Sequence, residues 1–454
     1  EFLYYLMILE KLWLLITVLV VEKENIFNLK KEQSTLILRG VVTQLAKLLI
    51  SKGKFVNSEA TSIGESVKAI QNSREWLHSQ KIDDILEYVE MIGKHWSNNF
   101  ENKIGTNSSH VKNFLSKSYL EKKLDIALHG DRHSLDNFVD LGDSELLFHA
   151  QPRGVACHWI AGNVDILGIF SAIQSLLTKN VSIIKVPSNY TLLVDLLTSL
   201  KNINTEKISG KKMLECFEVL YIEQNDEKNQ KILSDSADIR VAWGGADAIK
   251  SITALPKSPF TEDIIYGPKY SYVILDEKSI QKQQTQIAQK IALDVSTFDQ
   301  YACSSPHTVF VKTKDPKIIS SFSDALSQAM DDVERILLPK QKETEEKSKE
   351  IISTRSEYEI KGKVISSKNL NWTVIVSDEE GLAQPTFSRV IHVRPFKDNN
   401  VILNDNRKIQ SIGLSVDDND RFQFIDKITF FGGDRCPSLG KMSFFDSPWD
   451  GMFG

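Results

Sequence analysis

Between Arg153 and Ile252 the chain alternates between two periodicities, and that alternation narrows the folds open to it. Apolar runs of strand length, from Val155, Val181 to Ser188, Leu214 to Glu223 and Ile239 to Gly245, are separated by stretches with helical spacing. Those helical stretches cover Leu167 to Leu177, Tyr190 to Leu200, Lys228 to Ser236 and Ala246 to Ile252. Strand and helix in strict alternation predict a parallel, doubly wound α/β sheet. Ligands of such sheets bind at the C-terminal strand ends. Here those ends carry Asn163, the segment Lys185 to Ser188, and Gly244-Gly245.

A second α/β segment begins near Ile264. It predicts a strand in YSYVILDE, a helix from Ser279 to Ser296, a strand in HTVFVKT, and further strands in NWTVIVSDE and RVIHVRPF. The charge run Lys340 to Glu350 reads as a solvated helix face or connector. Ahead of the first sheet, Ser34 to Val41 predicts a short strand. Ile63 to Ile92 predicts a helix with a core-facing stripe of Ile70, Trp76, Leu77, Ile82, Ile85, Leu86, Val89 and Ile92, and helix continues through Leu120 and Leu124. No internal repeat is evident. The expected division is an apolar segment over 1–33, a helical region with a cofactor-binding α/β domain over 34–263, a catalytic α/β domain over 264–440, and a tail over 441–454.

The 454 residues are 41% hydrophobic and 25% charged, an ordinary globular composition. A net charge of −5 offers no general attraction for nucleic acid. The four cysteines, Cys157, Cys216, Cys303 and Cys436, are widely spaced with no CxxC pair, so neither a metal site nor a disulfide framework is expected, and reduced thiols in the cytoplasm are the simpler reading. Phe2 to Val21 is strongly apolar, but Glu10 and Lys11 interrupt it, and Leu12 to Val21 falls short of the roughly 20 residues a bilayer requires. It lacks a clear signal-peptide pattern. It is expected as a buried helix or as sequence foreign to the fold, with membrane contact the weaker reading.

The cysteine at 303 stands apart. It sits in a polar elbow, FDQYACSSP, that leads into the run Thr308 to Val311. A lone cysteine is more often packing than chemistry. The elbow and the functional-looking strand ends raise the catalytic reading.

Taken in order, these segments resemble the aldehyde dehydrogenase superfamily. GVACHWIAGN is similar to its strand and loop ending in a catalytic-site asparagine, and SLLTKNVSIIKVPS to its Lys-Pro-Ser segment. ADIRVAWGGADA is similar to the glycine turn beside the cofactor, and IIYGPKYSYVILDE to the Glu-Leu-Gly-Gly-Lys segment. FDQYACSS resembles the nucleophile motif, with a loose fit around Gln300, and ITFFGG the late Pro-Phe-Gly-Gly turn. The order and spacing carry the resemblance; no single segment does. The run Tyr266 to Ser271, the Cys-Ser-Ser-Pro run and the long N-terminal region point to the LuxC-type acyl-CoA reductases within it.

The resemblance implies an α/β fold with a Rossmann-type cofactor domain and an α/β catalytic domain. It implies that Cys303 attacks a long-chain acyl thioester and that NADPH reduces the acyl-enzyme to a fatty aldehyde. Asn163 and the Cys303 backbone N–H would hold the oxyanion. Where oxidising relatives carry a glutamate that activates water, this chain has Ile265. Lys185, Ser188, Trp243, Gly244 and Gly245 fall at cofactor-binding positions. Because Val186, Pro187, Ser188 and Asn189 are uncharged, a 2′-phosphate meets no repulsion there. Relatives use a histidine base ahead of the Gly-Pro-Lys segment, yet no histidine lies between His158 and His307, and Glu262 is the nearest carboxylate that could substitute. His158 is expected to be a satisfied core histidine; His307 could influence the thiol or face away. The expected partners are acyl-CoA or an acylated partner protein and a second copy of the chain, with a fatty-acid reductase complex as the wider setting. An oxidising aldehyde dehydrogenase and a non-catalytic subunit of the same fold are the alternatives.

Overall fold

The computed structural model describes residues 46–444 apart from 106–107, 141, 143–145, 165, 341 and 397–406, and apart from the side chains of 418–420. The expected strand at Ser34 to Val41, the apolar segment Phe2 to Val21 and most of the tail lie outside these residues. Among the described residues no helix is long and apolar enough to cross a membrane.

Among the described residues, sixteen strands form two large sheets and a small one. The chain enters through β1 (Ala46–Ser51) and β2 (Lys54–Ala60), an antiparallel pair absent from the sequence expectation. A two-stranded arm, β3 (Val139–Asp140) with β4 (Leu147–Phe148), precedes the alternating region. Then come β5 (Val155–Trp159), β6 (Val181–Lys185), β7 (Phe217–Tyr221), β8 (Ile239–Trp243) and β9 (Glu262–Tyr266). The first sheet has the order β2-β1-β7-β6-β5-β8-β9, and β5 to β9 pair in parallel.

β5, β6 and β8 are almost wholly buried, because helices cover both faces of a parallel sheet. The helix Leu167–Leu177 follows β5 with the predicted bounds, and Gly168 in it lies so close to Leu193 that a Cβ there would clash. The stripe from Ile63 to Ile92 is interrupted, giving helices Gly64–Gln71, Arg74–Ser79 and Ile82–Asn99. Its residues are nonetheless buried as expected, apart from half-buried Trp76. Trp96 in the third helix donates its ring N–H to Ser199 at 2.9 Å, tying the helical region to the sheet's cover.

The second sheet contains β10 (Tyr270–Asp276), β11 (Pro306–Lys312), β12 (Lys363–Ser366), β13 (Thr373–Val376), β14 (Val390–Pro395), β15 (Ile409–Ser415) and β16 (Gly433–Arg435). Its order is β12-β13-β14-β11-β10-β15-β16. All its pairings are parallel except β12 with β13. The position 263/264, expected as a domain boundary, falls inside β9, a strand of the first sheet; the second sheet starts at Tyr270. The link Gly267-Pro268-Lys269 therefore carries the chain from the end of one sheet to the start of the other. The charge run continues as a helix, Glu345–Lys361, with few buried residues.

Candidate active site

A cavity of about 360 Å³ opens where the C-terminal ends of β5, β8 and β9 meet the elbow before β11. Gly162, Asn163, Trp243, Gly244, Gly245 and Tyr266 line it from the first sheet. Lys269, Tyr301, Cys303, Phe387 and Ser443 line it from the second, and Val164, Leu167, Phe170 and Phe298 give it an apolar wall. Among the described lining residues there is no carboxylate.

The elbow is built from strained backbone. Phe298, Asp299 and Gln300 all have left-handed φ values, 55°, 49° and 68°. None is glycine, and each such residue costs on the order of 1 kcal/mol. A second left-handed run, Phe387, Ser388 and Arg389, lies against it just before β14. The two runs hold each other. Buried Arg389 donates from Nε to Asp299 at 2.6 Å. The Gln300 amide donates to the Pro306 and Val390 carbonyls at 2.8 and 2.9 Å and accepts from the Val390 N–H at 2.8 Å. Tyr301 stacks on Phe387, and its hydroxyl donates to Glu343 at 3.1 Å. Strain of this kind persists only where surrounding contacts over-determine it.

Cys303 is thereby held half-buried at the cavity edge. Its carbonyl accepts from Ser271 Oγ at 2.7 Å, and its Sγ lies 3.7 Å from Gln410 Oε1. Asn163 arrives from the other sheet and donates from Nδ2 to the Tyr301 carbonyl at 2.9 Å. An amide NH₂ has a second N–H to give.

Residues 77–454 match the family of acyl-CoA reductases called LuxC. The chain belongs to the LuxC family. It is 27% identical over 340 residues to a long-chain acyl-protein thioester reductase of Aliivibrio fischeri, covering 70% of this chain and 68% of the relative. It is 29% identical over 337 residues to the protein of the same name from Photobacterium phosphoreum, covering 73% and 65%. The chain thus spans about two thirds of the length of these relatives. Among solved structures, a lactaldehyde dehydrogenase superimposes with a TM-score of 0.61 at 13% identity, over 87% of this chain and 90% of that one. Aldehyde dehydrogenase 21 from Physcomitrella patens, solved with the reaction product succinate, gives 0.62 at 12% over 87% of each chain. The fold of this LuxC chain is that of the aldehyde dehydrogenases.

Several residues singled out from the sequence converge on the cavity of this LuxC chain: Cys303, Asn163, Trp243, Gly244 and Gly245. Trp243 stacks on Tyr266 at 3.8 Å and donates its ring N–H to Ser171. Lys185 and Ser188, at and after the end of β6, are not among the residues that line the cavity. Their loop is joined to the Asn163 loop by Asn189, which donates to the Gly162 carbonyl at 3.1 Å. Burial lowers the Lys185 ammonium from its ordinary value, and among the described residues it has no hydrogen-bond or ion-pair partner.

Glu262 is not brought to the cavity. It opens β9, at the opposite end of that strand from Tyr266, and is ion-paired with Arg153 in solvent. A parallel strand five residues long puts its two ends on opposite edges of the sheet. His158 is a fully buried core residue bonded through its ring nitrogens to Ser171 and Ser175, and burial holds its pKa down near 3. His307 lies under the elbow, packed against Tyr270 and Phe387. Burial, reinforced by Arg407, pushes its pKa to about 3, so it supplies no positive charge to the thiol. Cys157 and Cys216 are buried and Cys436 is half-buried; burial raises Cys157 to about 12 and Cys436 to about 11, and raises Cys216 as well. No cluster of metal-ligating side chains occurs among the described residues.

Sequence reasoning missed Arg389, Tyr301, Phe387 and Gln410. Arg389 and Asp299 are 90 positions apart, and nothing local pairs them. Gln410 did leave a trace: it is a polar residue in an otherwise strand-like run, IQSIGLS.

Proposed function

We propose that this protein reduces a long-chain acyl thioester to a fatty aldehyde through an acyl-cysteine on Cys303. The observation that carries this reading is the meeting of Cys303 and Asn163 at the mouth of a cavity with an apolar wall and no carboxylate among its described lining residues. In the first step the Cys303 thiolate adds to the acyl carbonyl. The free Asn163 N–H and the Cys303 backbone N–H are the oxyanion donors. The carrier leaves as a thiolate, which takes up a proton, and the acyl group stays on Cys303. When bound, a nicotinamide cofactor supplies hydride to that acyl group. Collapse of the resulting hemithioacetal returns the Cys303 thiolate and releases aldehyde. Phe170, Phe298, Val164 and Leu167 take the hydrocarbon chain, at about 0.8 kcal/mol per buried CH₂, and keep water from the thioester. Ile265, half-buried on β9, stands where oxidising relatives carry the glutamate that activates water.

The residues at the strand ends suit a dinucleotide. A Cβ on Gly245 would meet only open space, so the backbone there is free for close approach by a ligand. Trp243 and Gly244 continue that wall. Half-buried Lys185 without an anionic partner, next to exposed Ser188, favours a ligand with a phosphate at this point, and hence NADPH. The acyl donor is acyl-CoA or an acylated partner protein. The exposed apolar side chains on and beside the β3–β4 arm, Phe138, Leu147 and Phe148, favour a second copy of the chain as their cover. The reactive thiol suits the reducing cytoplasm.

Intact-mass measurement after mixing with tetradecanoyl-CoA tests this. Wild type should gain one acyl mass and lose it as aldehyde when NADPH is added, and Cys303→Ala should gain none. Acyl mass on both proteins, or on neither, refutes the acyl-cysteine.

A further inference from the structure

We propose that Gln410 is a catalytic residue whose side-chain amide stabilises the Cys303 thiolate, donating to the sulfur after a half-turn about its last carbon–carbon bond. The inference rests on the reading of Cys303 as the nucleophile and assigns the group that makes its thiolate accessible.

Gln410 stands at the start of β15 and is fully buried. Its Oε1 accepts from the Cys303 thiol at 3.7 Å. Its Nε2 is also buried and has no hydrogen-bond partner. A buried N–H donor without an acceptor is rare in a folded protein and asks for an explanation. The backbone has no slack to provide one. Ser271 Oγ accepts from the Ser411 N–H at 3.0 Å and donates to the Cys303 carbonyl at 2.7 Å, so one hydroxyl fixes both the residue after Gln410 and the nucleophile. Arg435 holds Ser411 from behind, donating to its hydroxyl at 2.9 Å.

Two protonation states of the sulfur resolve the orphan. As a thiol, Cys303 donates its proton to Oε1. As a thiolate, it can only accept, and it then faces a carbonyl oxygen. The two ends of a glutamine amide have nearly the same shape, so a half-turn exchanges them within the same space. Nε2 then donates to the sulfur, and the oxygen takes the position of the former orphan. An unpaired buried carbonyl is better tolerated than an unpaired N–H. The proton released by the thiol goes to solvent through the cavity mouth.

Among the described residues, the charged and titratable groups near the sulfur are engaged as follows. Lys269, on the link from β9 to β10, is ion-paired with Asp434 at 2.5 Å. Tyr301, on the elbow itself, is bonded to Glu343; burial first, and that carboxylate after it, raise its phenol. His307 on β11 is neutral, Arg435 on β16 is spent on Ser411 and on the Phe444 and Met442 carbonyls, and Tyr266 is stacked on Trp243. The same donor serves at the end of the cycle, when Cys303 leaves as a thiolate.

The test is the pH dependence of iodoacetamide alkylation at Cys303, followed by peptide-resolved mass spectrometry on the full chain. Wild type should titrate below the ordinary thiol value of about 8.5. Gln410→Met, which removes both amide ends, should raise the midpoint by about one unit, a tenfold loss of thiolate at a fixed lower pH. Gln410→Glu, of the same shape, should raise it further through repulsion. A wild-type midpoint at or above 8.5, or a folded variant that titrates like wild type, overturns the proposal. Acylation of wild type by tetradecanoyl-CoA, run in parallel, separates the two readings: no acyl adduct on wild type sinks the nucleophile, whereas an adduct with an unmoved titration sinks only Gln410.

Discussion

Among the described residues the two large sheets have the same number of strands, and they reach one cavity from opposite strand ends. The first brings the C-terminal ends of β5, β8 and β9, where regular strands run out into the loops carrying Asn163, Gly244-Gly245 and Gly267. The second brings the N-terminal side of β11, where Cys303 waits behind three left-handed residues. Gly245, which caps the helix after β8, has an unstrained φ of −70°. The elbow is held by a buried ion pair, a buried glutamine and a second strained run. Among the described residues, the glycine-edged loops of the first sheet carry no such clamp. Cys303, the nucleophile of the proposed reaction, is clamped from several sides.

Removing the clamp should do the most damage. Arg389→Met leaves Asp299 without its cation and frees both left-handed runs. Loss of about 3 kcal/mol of stability is expected in denaturant titrations, together with loss of acylation at Cys303. Gln300→Ala removes three hydrogen bonds from the elbow but leaves the ion pair. It should cost about 2 kcal/mol and slow acylation roughly 100-fold, as a misplaced reacting group does. Stability close to wild type in both variants would show that the elbow is not held as described.

A third test reaches the rear of the second sheet. Asp294 is buried and accepts from the Gly440 and Met442 N–H groups, beside the Ser443 lining residue. Burial raises its carboxyl from 3.8 to about 7, against those two bonds and Arg435. A folded pKa above the unfolded one means that the native state holds the proton more tightly. Its contribution is therefore greatest below about pH 4 and declines as pH rises through about 7. The melting temperature of wild type should fall from pH 5 to 8 relative to Asp294→Asn, which lacks this titration; parallel curves would remove Asp294 from the account.

The first sheet should respond differently. Gly245→Ala adds a Cβ into open space, so stability should stay within about 0.5 kcal/mol of wild type. Apparent affinity for the nicotinamide cofactor should fall about tenfold, because the added methyl stands in the surface the cofactor would cover. The smallest effect belongs to Glu262→Gln. Its pair with Arg153 is solvent-exposed and far from the cavity, so acylation and reduction rates should not change.

Much of the first sheet could be read from the sequence because its signals are local. Burial on both faces writes a continuous apolar run into a strand such as Val181–Lys185, and the covering helix writes its own spacing into Leu167–Leu177. β2 and β9 escaped because they are edge strands with largely exposed runs, and β1 because it is short and its burial comes from pairing with β7, far off in the sequence. Cys303 was legible as an oddity of position. The group beside it was not, since Gln410 is 107 residues away and earns its place only through the pairing of β10 with β15.

What the chain's own order of residues determined was the alternation of strands and helices and the glycine-edged loops at the strand ends. These depend on periodicity and on side-chain types a few residues apart. Only the tertiary structure decided which end of each strand meets the cavity. That removed Glu262 from the site and made His307 a buried, neutral ring. It also decided what holds the elbow. Arg389 with Asp299, Gln300 with Val390, and Gln410 with Cys303 are contacts across strands distant in sequence, and their strength comes from burial, which no local pattern of residues records.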